Sequence, residues 1–203
     1  MFEHADAVRR ALEREDLAGA RAAAGRMVSR DTRELPGELV ASAAIESVAE
    51  NLSDSVIAPA AWYLAGGLAA AYVYRAANTL DAMAGYRSRG RFGMVPARLD
   101  DALNLVPARV TAAAVLAVRP RALVRWRSLA RDARSTASPN AGWPMAAMAH
   151  ALGVRLEKRG HHVLHGAGRY PGHGDIRRAL GAAAGAAGLM YALALAASLG
   201  ARR

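Results

Sequence analysis

Between Tyr74 and Arg109 the chain gathers Arg75, Asn78, Asp81, Arg98, Asp100, Asp101, Asn104 and Arg109, charged and amide side chains set between two apolar runs. Upstream, Glu46, Glu50 and Asp54 fall at i, i+4 and i+8, which on a helix places them within about 80° of one another. Like charges at that spacing disfavour each other by roughly 0.2–0.5 kcal/mol per pair even in water. Out of water they demand cations or protons. A solvated acidic face is the ordinary reading of such a row, but here the row runs straight into an apolar segment. If Tyr74–Gly85 is helical, then Tyr74, Asn78, Asp81 and Gly85 share one face. On the next helix Arg98 is expected to pair with Asp101 at i,i+3, with Asn104 a turn further on. A charge in membrane-grade sequence costs about 2.5–3.5 kcal/mol at a bilayer centre, so a chain that keeps several there is expected to use them. Carboxylates suit Mg²⁺, which retains waters and bridges phosphate oxygens, and arginines give paired donors to phosphate or carboxylate. The chemistry this inventory fits is metal-assisted handling of a phosphorylated or polyanionic substrate.

The elements that must position these groups are helical. The pattern predicts an all-α, polytopic membrane helical bundle of about three spanning helices, preceded by an amphipathic cytoplasmic helix. Residues 3–30 read as that amphipathic helix, broken near Asp16–Gly19, with Ala7, Val8, Ala11 and Leu12 and then Leu17, Ala20, Ala24, Met27 and Val28 on its apolar face. Pro36-Gly37 marks a turn, dividing a segment 1–36 from a membrane-embedded, catalytic-type domain 37–203. Leu39–Ser53 is a second helix. The candidate spans are 56–74, 102–118 and 179–200, each about the length a bilayer requires. Trp62, Tyr63, Tyr72 and Tyr74 lie towards the ends of the first, and Pro107 is expected to kink the second. Met145–Val154 is apolar but too short to span, Ser138–Pro144 reads as irregular, and 155–178 as a polar, Gly-rich loop.

With 27 Lys+Arg against 17 Asp+Glu, the chain of 203 residues carries a formal charge of +10. Lys158 is the lone lysine. The arginines form no stripe with interleaved aromatics, so nucleic acid is not an expected partner. The run Arg119–Arg134 has six arginines against Asp132, which places this loop in the cytoplasm and the protein in the plasma membrane, with lipid as a partner. The absence of cysteine excludes disulfides and thiolate chemistry, and MFEHADAVRR has no apolar core of a signal peptide. No phosphate-binding GxxxxGK[ST] loop or GxGxxG turn occurs. His161 and His165 would bind a metal only if helical; the nearby glycines favour a solvated histidine cluster.

The runs YRAANTLDAMAGY, FG…ARLDDALNLVPAR, IESVAENLSDSVIAP and SPNAGWPMAA, in this order, resemble the adenosylcobinamide-phosphate synthase family of cobalamin biosynthesis. The resemblance runs from about the start of the chain to Gly160, and more weakly over DIRRAL at 175–180. It departs at Ser55, Arg87 and Met94, where Gly, Lys and Trp are usual. It implies ATP-dependent amide formation between adenosylcobyric acid, the corrinoid substrate, and (R)-1-amino-2-propanol or its phosphate, with ATP and Mg²⁺. Glu46, Glu50, Asp54, Asp81, Asp100 and Asp101 would then serve Mg²⁺–nucleotide binding or deprotonation of the amine, with metal on Asp81, Asp100 and Asp101. Arg75, Arg98 and Arg109 would hold phosphates or the corrin carboxylate, and Asn51, Asn78, Asn104 and Asn140 would orient substrates. Arg30, Asp31 and Thr32 match the family's RDT and either reach the site or simply cap the next helix. The family also has a membrane portion ahead of the helix with which this sequence begins, so a second polypeptide supplying that half is an expected partner. Two other classes stand beside this reading: a non-catalytic or split membrane subunit, and an Mg²⁺-dependent membrane prenyltransferase, whose motifs NTLD and LDDALN loosely resemble.

Overall fold

The computed structural model describes residues 1–84 and 91–200. Gly85 and Arg87, and the terminal Arg202 and Arg203, lie outside the described residues.

The amphipathic segment is two helices, α1 (Phe2–Glu13) and α2 (Leu17–Ala24). Arg9 reaches both Asp6 and Glu13 at 2.6 Å on the outer side of α1, while Ala5 and Val8 face inward. The break comes where expected: the Asp16 side chain accepts from the Gly19 backbone N–H at 2.8 Å and caps α2. A Cβ at residue 19 would lie 2.1 Å from that carboxylate, so glycine is required for so close a cap.

Helix α3 (Gly37–Leu52) is the centre of the packing, buried on every side from Leu39 to Ala49. A helix apolar all round belongs inside, and α3 touches α1, α2, α7 and α8. Its small residues allow that close approach; its acids are the exception that needs explanation. A single π-helical turn, Ser53–Ile57, joins it to α4 (Ala58–Ala84).

Segment 56–74, expected as one spanning rod, is folded on itself. Gly66 (φ −151°, ψ 22°) and Gly67 (φ 67°, ψ −159°) leave helical geometry in the middle of α4. The Tyr74 hydroxyl consequently lies 3.2 Å from the carbonyl of Asp54, 20 residues earlier, where a straight helix would separate them by about 30 Å. Only glycine accepts the backbone angles of Gly67 without strain.

Helix α5 (Arg91–Val118) runs through Pro96 and Pro107, and a 3₁₀ turn, Pro120–Arg125, leads to α6 (Trp126–Ala133). Helix α7 (Gly142–Leu152) is buried almost throughout. The supposedly irregular Gly142-Trp143-Pro144 is its first turn, where a proline loses no intrahelical bond. In place of a loop, the polar segment folds a hairpin of β1 (Leu156–Lys158) and β2 (His162–Leu164), antiparallel with Leu156 opposite Leu164. His161 and His165 are therefore not helical neighbours. Helix α8 (His173–Gly200) buries Ile176, Ala179, Ala183 and Ala186 at helical spacing, while Leu189, Tyr191, Leu193, Leu195 and Leu199 are exposed.

Three stretches, Gly37–Met83, Met94–Val118 and His173–Leu199, are long and apolar enough to cross a membrane, the first with the fold at Gly66–Gly67 inside it. The all-helical class holds, the hairpin apart.

Candidate active site

A cavity of about 440 Å³ opens between the fold-back of α4, the middle of α5 and the turn before α7. Asp54, Asp81, Asp100 and Asp101 line it, with Glu50, Asn104 and Asn140. Groups separated by up to 90 positions in sequence converge because α4 doubles back. The return limb brings Asn78 and Asp81 alongside the π-helical turn that carries Asp54. One face of α5 then supplies Asp100, Asp101 and Asn104.

Amides fix the acids. Asn78 Nδ2 donates to Asp100 Oδ1 at 3.1 Å, and Asn104 Nδ2 donates to Asp100 Oδ2 at 3.0 Å. The Asn104 carbonyl oxygen lies 3.0 Å from the Tyr74 hydroxyl. Because that hydroxyl has one proton, it serves either Asn104 or the Asp54 carbonyl at a given moment. Asn140 Nδ2 donates to the backbone carbonyl of Asp101 at 2.7 Å, with Asp101 Oδ1 at 3.4 Å, and Arg109 donates to Asn140 Oδ1 at 3.1 Å. Three of the four asparagines expected to orient substrates are thus bonded to the acids themselves. Asn104 is 2% exposed, and a buried amide left unpaired costs about 1–3 kcal/mol, so breaking this pairing is unfavourable.

The acidic row of α3 divides. Glu46 faces a neighbouring cavity of about 310 Å³, which Glu50 also lines, so Glu50 stands in the wall between the two. There Arg30 Nη2 approaches Glu46 Oε1 at 3.2 Å, Ser42 Oγ donates to the same oxygen at 2.7 Å, and His162 Nε2 lies 3.4 Å from Oε2 without hydrogen-bond alignment. Lys158 also lines this cavity. Of the RDT residues, Arg30 therefore reaches the acids. Thr32 donates to the Arg21 carbonyl at 2.9 Å and ties α2 to the turn. Asp31 is exposed, and hydrogen bonds from Arg33 hold its carboxyl down to about 2. Neither caps α3, which has no side-chain cap.

Other expected residues stand apart. Asn51 Nδ2 donates to its own helix at the Ser47 carbonyl, 2.9 Å away, and does not line the cavity. Arg98 is exposed, and among the described residues no ion pair joins it to Asp101. Arg75 lies at the rim, 3.5 Å from both the Asp54 carbonyl and Asn78 Oδ1. Arg109 stacks 5.0 Å over the Trp143 ring. Sequence reasoning missed Ser53, Ser138, Lys158 and His162. Ser138 stood in the SPNAGWP run, but Lys158 and His162 had no local signal, since only the β-hairpin carries them to Glu46. The histidines expected to be solvated divide too: His161 and His173 are exposed, His162 and His165 largely enclosed.

Among the described residues no set of three His, Asp or Glu side chains is already gathered as a metal cage. The donor set nevertheless fits Mg²⁺, which takes one or two carboxylates and completes its shell with waters and substrate phosphates.

Fold and site together define a helical protein with membrane-competent helices and an amide-braced carboxylate cavity between the fold-back of α4 and the middle of α5. The CobD/Cbib protein family matches residues 1–192, and the chain belongs to that family. It is 48% identical over 157 residues to the probable cobalamin biosynthesis protein CobD of Methanothermobacter thermautotrophicus, covering 74% of this chain and 53% of that one. With the cobalamin biosynthesis protein CobD of Rhodobacter capsulatus, identity is 49% over 161 residues, covering 77% and 50%. That of Chromobacterium violaceum is 45% identical over 210 residues, covering 98% of this chain and 66% of its own length. The chain spans about half the length of most of the curated relatives it matches. No solved structure matches it at a significant level.

Proposed function

We propose that this chain carries the carboxylate site of an adenosylcobinamide-phosphate synthase, acting in cobalamin biosynthesis as an ATP-dependent ligase. The substrates are adenosylcobyric acid and (R)-1-amino-2-propanol or its O-phosphate. Family membership supports the pathway. The observation that carries the chemistry is the convergence of Asp54, Asp81, Asp100 and Asp101 on one cavity, with Asn78, Asn104 and Asn140 bracing two of them.

A carboxylate does not acylate an amine unaided. In the proposed sequence an oxygen of the corrin propionate attacks the γ-phosphorus of ATP, ADP leaves, and an acyl phosphate results. The amine nitrogen then attacks the acyl carbon and phosphate departs. The amine reaches the site as an ammonium ion, and an acid-lined cavity concentrates it. Asp54, free of the amide brace that holds Asp100, takes its proton. Asp100 and Asp101, with Asp81, would hold Mg²⁺, which would neutralise charge on the nucleotide phosphates. Arg75 beside Asp54, and Arg109 behind Asn140, supply donors to a phosphate or to the corrin carboxylates.

The same reading places the protein in the plasma membrane, with the arginine-rich segment 119–134 on the cytoplasmic side. The remaining half of the family's length, in this or a second polypeptide, completes the enzyme. The test incubates membranes containing the chain, alone and with the first half of a family member, with both substrates, ATP and Mg²⁺. Formation of adenosylcobinamide or its phosphate, read by mass, is expected with the complement. Its absence in both mixtures would sink the proposal.

A further inference from the structure

Away from the acidic site, a cavity of about 560 Å³ lies where the end of α5 and the following 3₁₀ turn meet α7 and the start of α8. Arg119, Arg125 and Arg178 line it together with His150 and His165, and none of its lining residues is acidic. Arg178 is paired with Asp175 at 2.7 Å; among the described residues Arg119 and Arg125 have no ion-pair partner. The His150 side chain is wholly enclosed, and Asp132 takes its Nε2 at 2.8 Å. Its Nδ1 is buried without any hydrogen-bond partner, an unmet demand that native interiors rarely leave.

Arginines often serve only to offset the carbonyls at helix C-termini. Two such ends, of α5 and α7, do border this cavity. Each presents about half a negative charge, which the two guanidinium groups without an ion-pair partner among the described residues, Arg119 and Arg125, still exceed. The location is also telling. Val118 closes the apolar run of α5, and its Cγ1 lies 3.1 Å from where a Cβ on Gly185 of α8 would stand. Arg178 immediately precedes the apolar part of α8. The cavity therefore sits at the mouth between two membrane-competent helices, the level at which basic pockets meet anionic headgroups.

We propose that this cavity is a binding site for a phosphate group, gripped by Arg119, Arg125 and Arg178 and separate from the carboxylate site. A phosphodiester of an anionic lipid and a soluble phosphate present the same oxygens to these donors, and the experiment separates the two sources.

The full chain, purified in a neutral detergent, is titrated with phosphatidylglycerol in mixed micelles, with phosphatidylcholine as the uncharged control, and in parallel with inorganic pyrophosphate. Binding is read by native mass spectrometry and by the shift in thermal midpoint. Saturable binding of phosphatidylglycerol alone assigns the site to a lipid headgroup; saturable binding of pyrophosphate, alone or as well, assigns it to the phosphate itself. In either case the pair Arg119→Gln/Arg125→Gln is expected to weaken binding by about tenfold or more, since each loses a charged donor. The pair Arg131→Gln/Arg134→Gln removes the same charge from exposed positions outside the cavity and is expected to change binding less than about twofold. Arg125→Gln alone repeats the measurement should the first pair fold poorly. No saturable binding of either probe, or equal loss in the two pairs, overturns the proposal.

Discussion

The indole N–H of Trp62 donates to the backbone carbonyl of Leu103 at 3.1 Å. In an unbroken helix that carbonyl would accept from the N–H of residue 107, but residue 107 is proline and has none. The outgoing limb of the α4 fold-back thus repairs the gap that Pro107 leaves in α5. Trp62→Phe keeps an aromatic ring and removes the donor, leaving a half-buried acceptor unpaired, which costs on the order of 1 kcal/mol. The midpoint of thermal unfolding in detergent is expected to fall. Pro107→Ala returns the missing N–H, so the same Trp62→Phe change on that background is expected to lose distinctly less. Equal losses on both backgrounds would mean that the indole contributes by packing alone.

The fold-back itself is open to direct measurement. Ser55 and Ala76 are both exposed, and spin labels placed there would lie about 30 Å apart on a straight helix. Tyr74 beside the Asp54 carbonyl requires them to be far closer. Electron–electron resonance is expected to give a distance well below the straight-rod value. Gly67→Ala should in addition destabilise the chain by about 1–3 kcal/mol, because φ 67° and ψ −159° exclude a side chain. A distribution centred near the straight-rod value would remove the geometric basis of the carboxylate cavity.

Much of this was legible in the order of residues, and what was not has a common cause. Helical periodicity located α1 through α3, and the resemblance located the acids, because both are local patterns. The fold at Gly66–Gly67 was hidden: adjacent glycines in an apolar run read equally well as a close-packing site between membrane helices. Likewise Asn78, Asn104 and Asn140 advertised themselves as polar groups in apolar surroundings, but their partnership with Asp100 and Asp101 exists only once α4 has turned back. His162 reaches Glu46, and Lys158 reaches the cavity that Glu46 lines, across more than a hundred residues through a hairpin too short to leave a strand signal. The row Glu46–Glu50–Asp54 did share a face, and yet the π-helical turn and the return limb divide it between two cavities.

Asp100 is the acid most completely held, with each oxygen accepting from a different asparagine. Asp100→Asn offers one carbonyl oxygen and one NH₂ to two donors, so Asn78 or Asn104 must lose its bond. If the cavity performs the proposed amide formation, product formation by the full-length enzyme is expected to fall on the order of 10²-fold or more. Asn104→Ala, acting through Asp100, should lower the rate less and raise the Mg²⁺ concentration needed for half-maximal activity. Unchanged turnover in both variants would show that the braced carboxylate lies outside the reaction, whereas a rate loss without any change in Mg²⁺ demand would confine Asn104 to shaping the cavity.

His165 links the fold to pH. It sits at φ 50° with its ring 4.3 Å from that of His150, and its backbone N–H donates to Asp132 at 2.9 Å. Burial holds its imidazole below the ordinary histidine value; the neighbouring His150 and Arg125 push the same way, and Asp132 opposes them. The groups facing it are therefore two cations or potential cations and one carboxylate, with Arg178 lining the same cavity. Between the depressed native value and about 6.5 the unfolded chain binds a proton that the native chain does not. Stability from this group is complete above about pH 6.5 and is lost progressively as the pH falls from there through the depressed native value. His165→Asn keeps a residue that tolerates positive φ and removes the titration. The thermal midpoint of the native sequence is expected to drop on going from about pH 7.5 to pH 5.5, and that of His165→Asn to drop less over the same interval. Parallel curves for the two proteins would show that protonation of His165 is not coupled to folding.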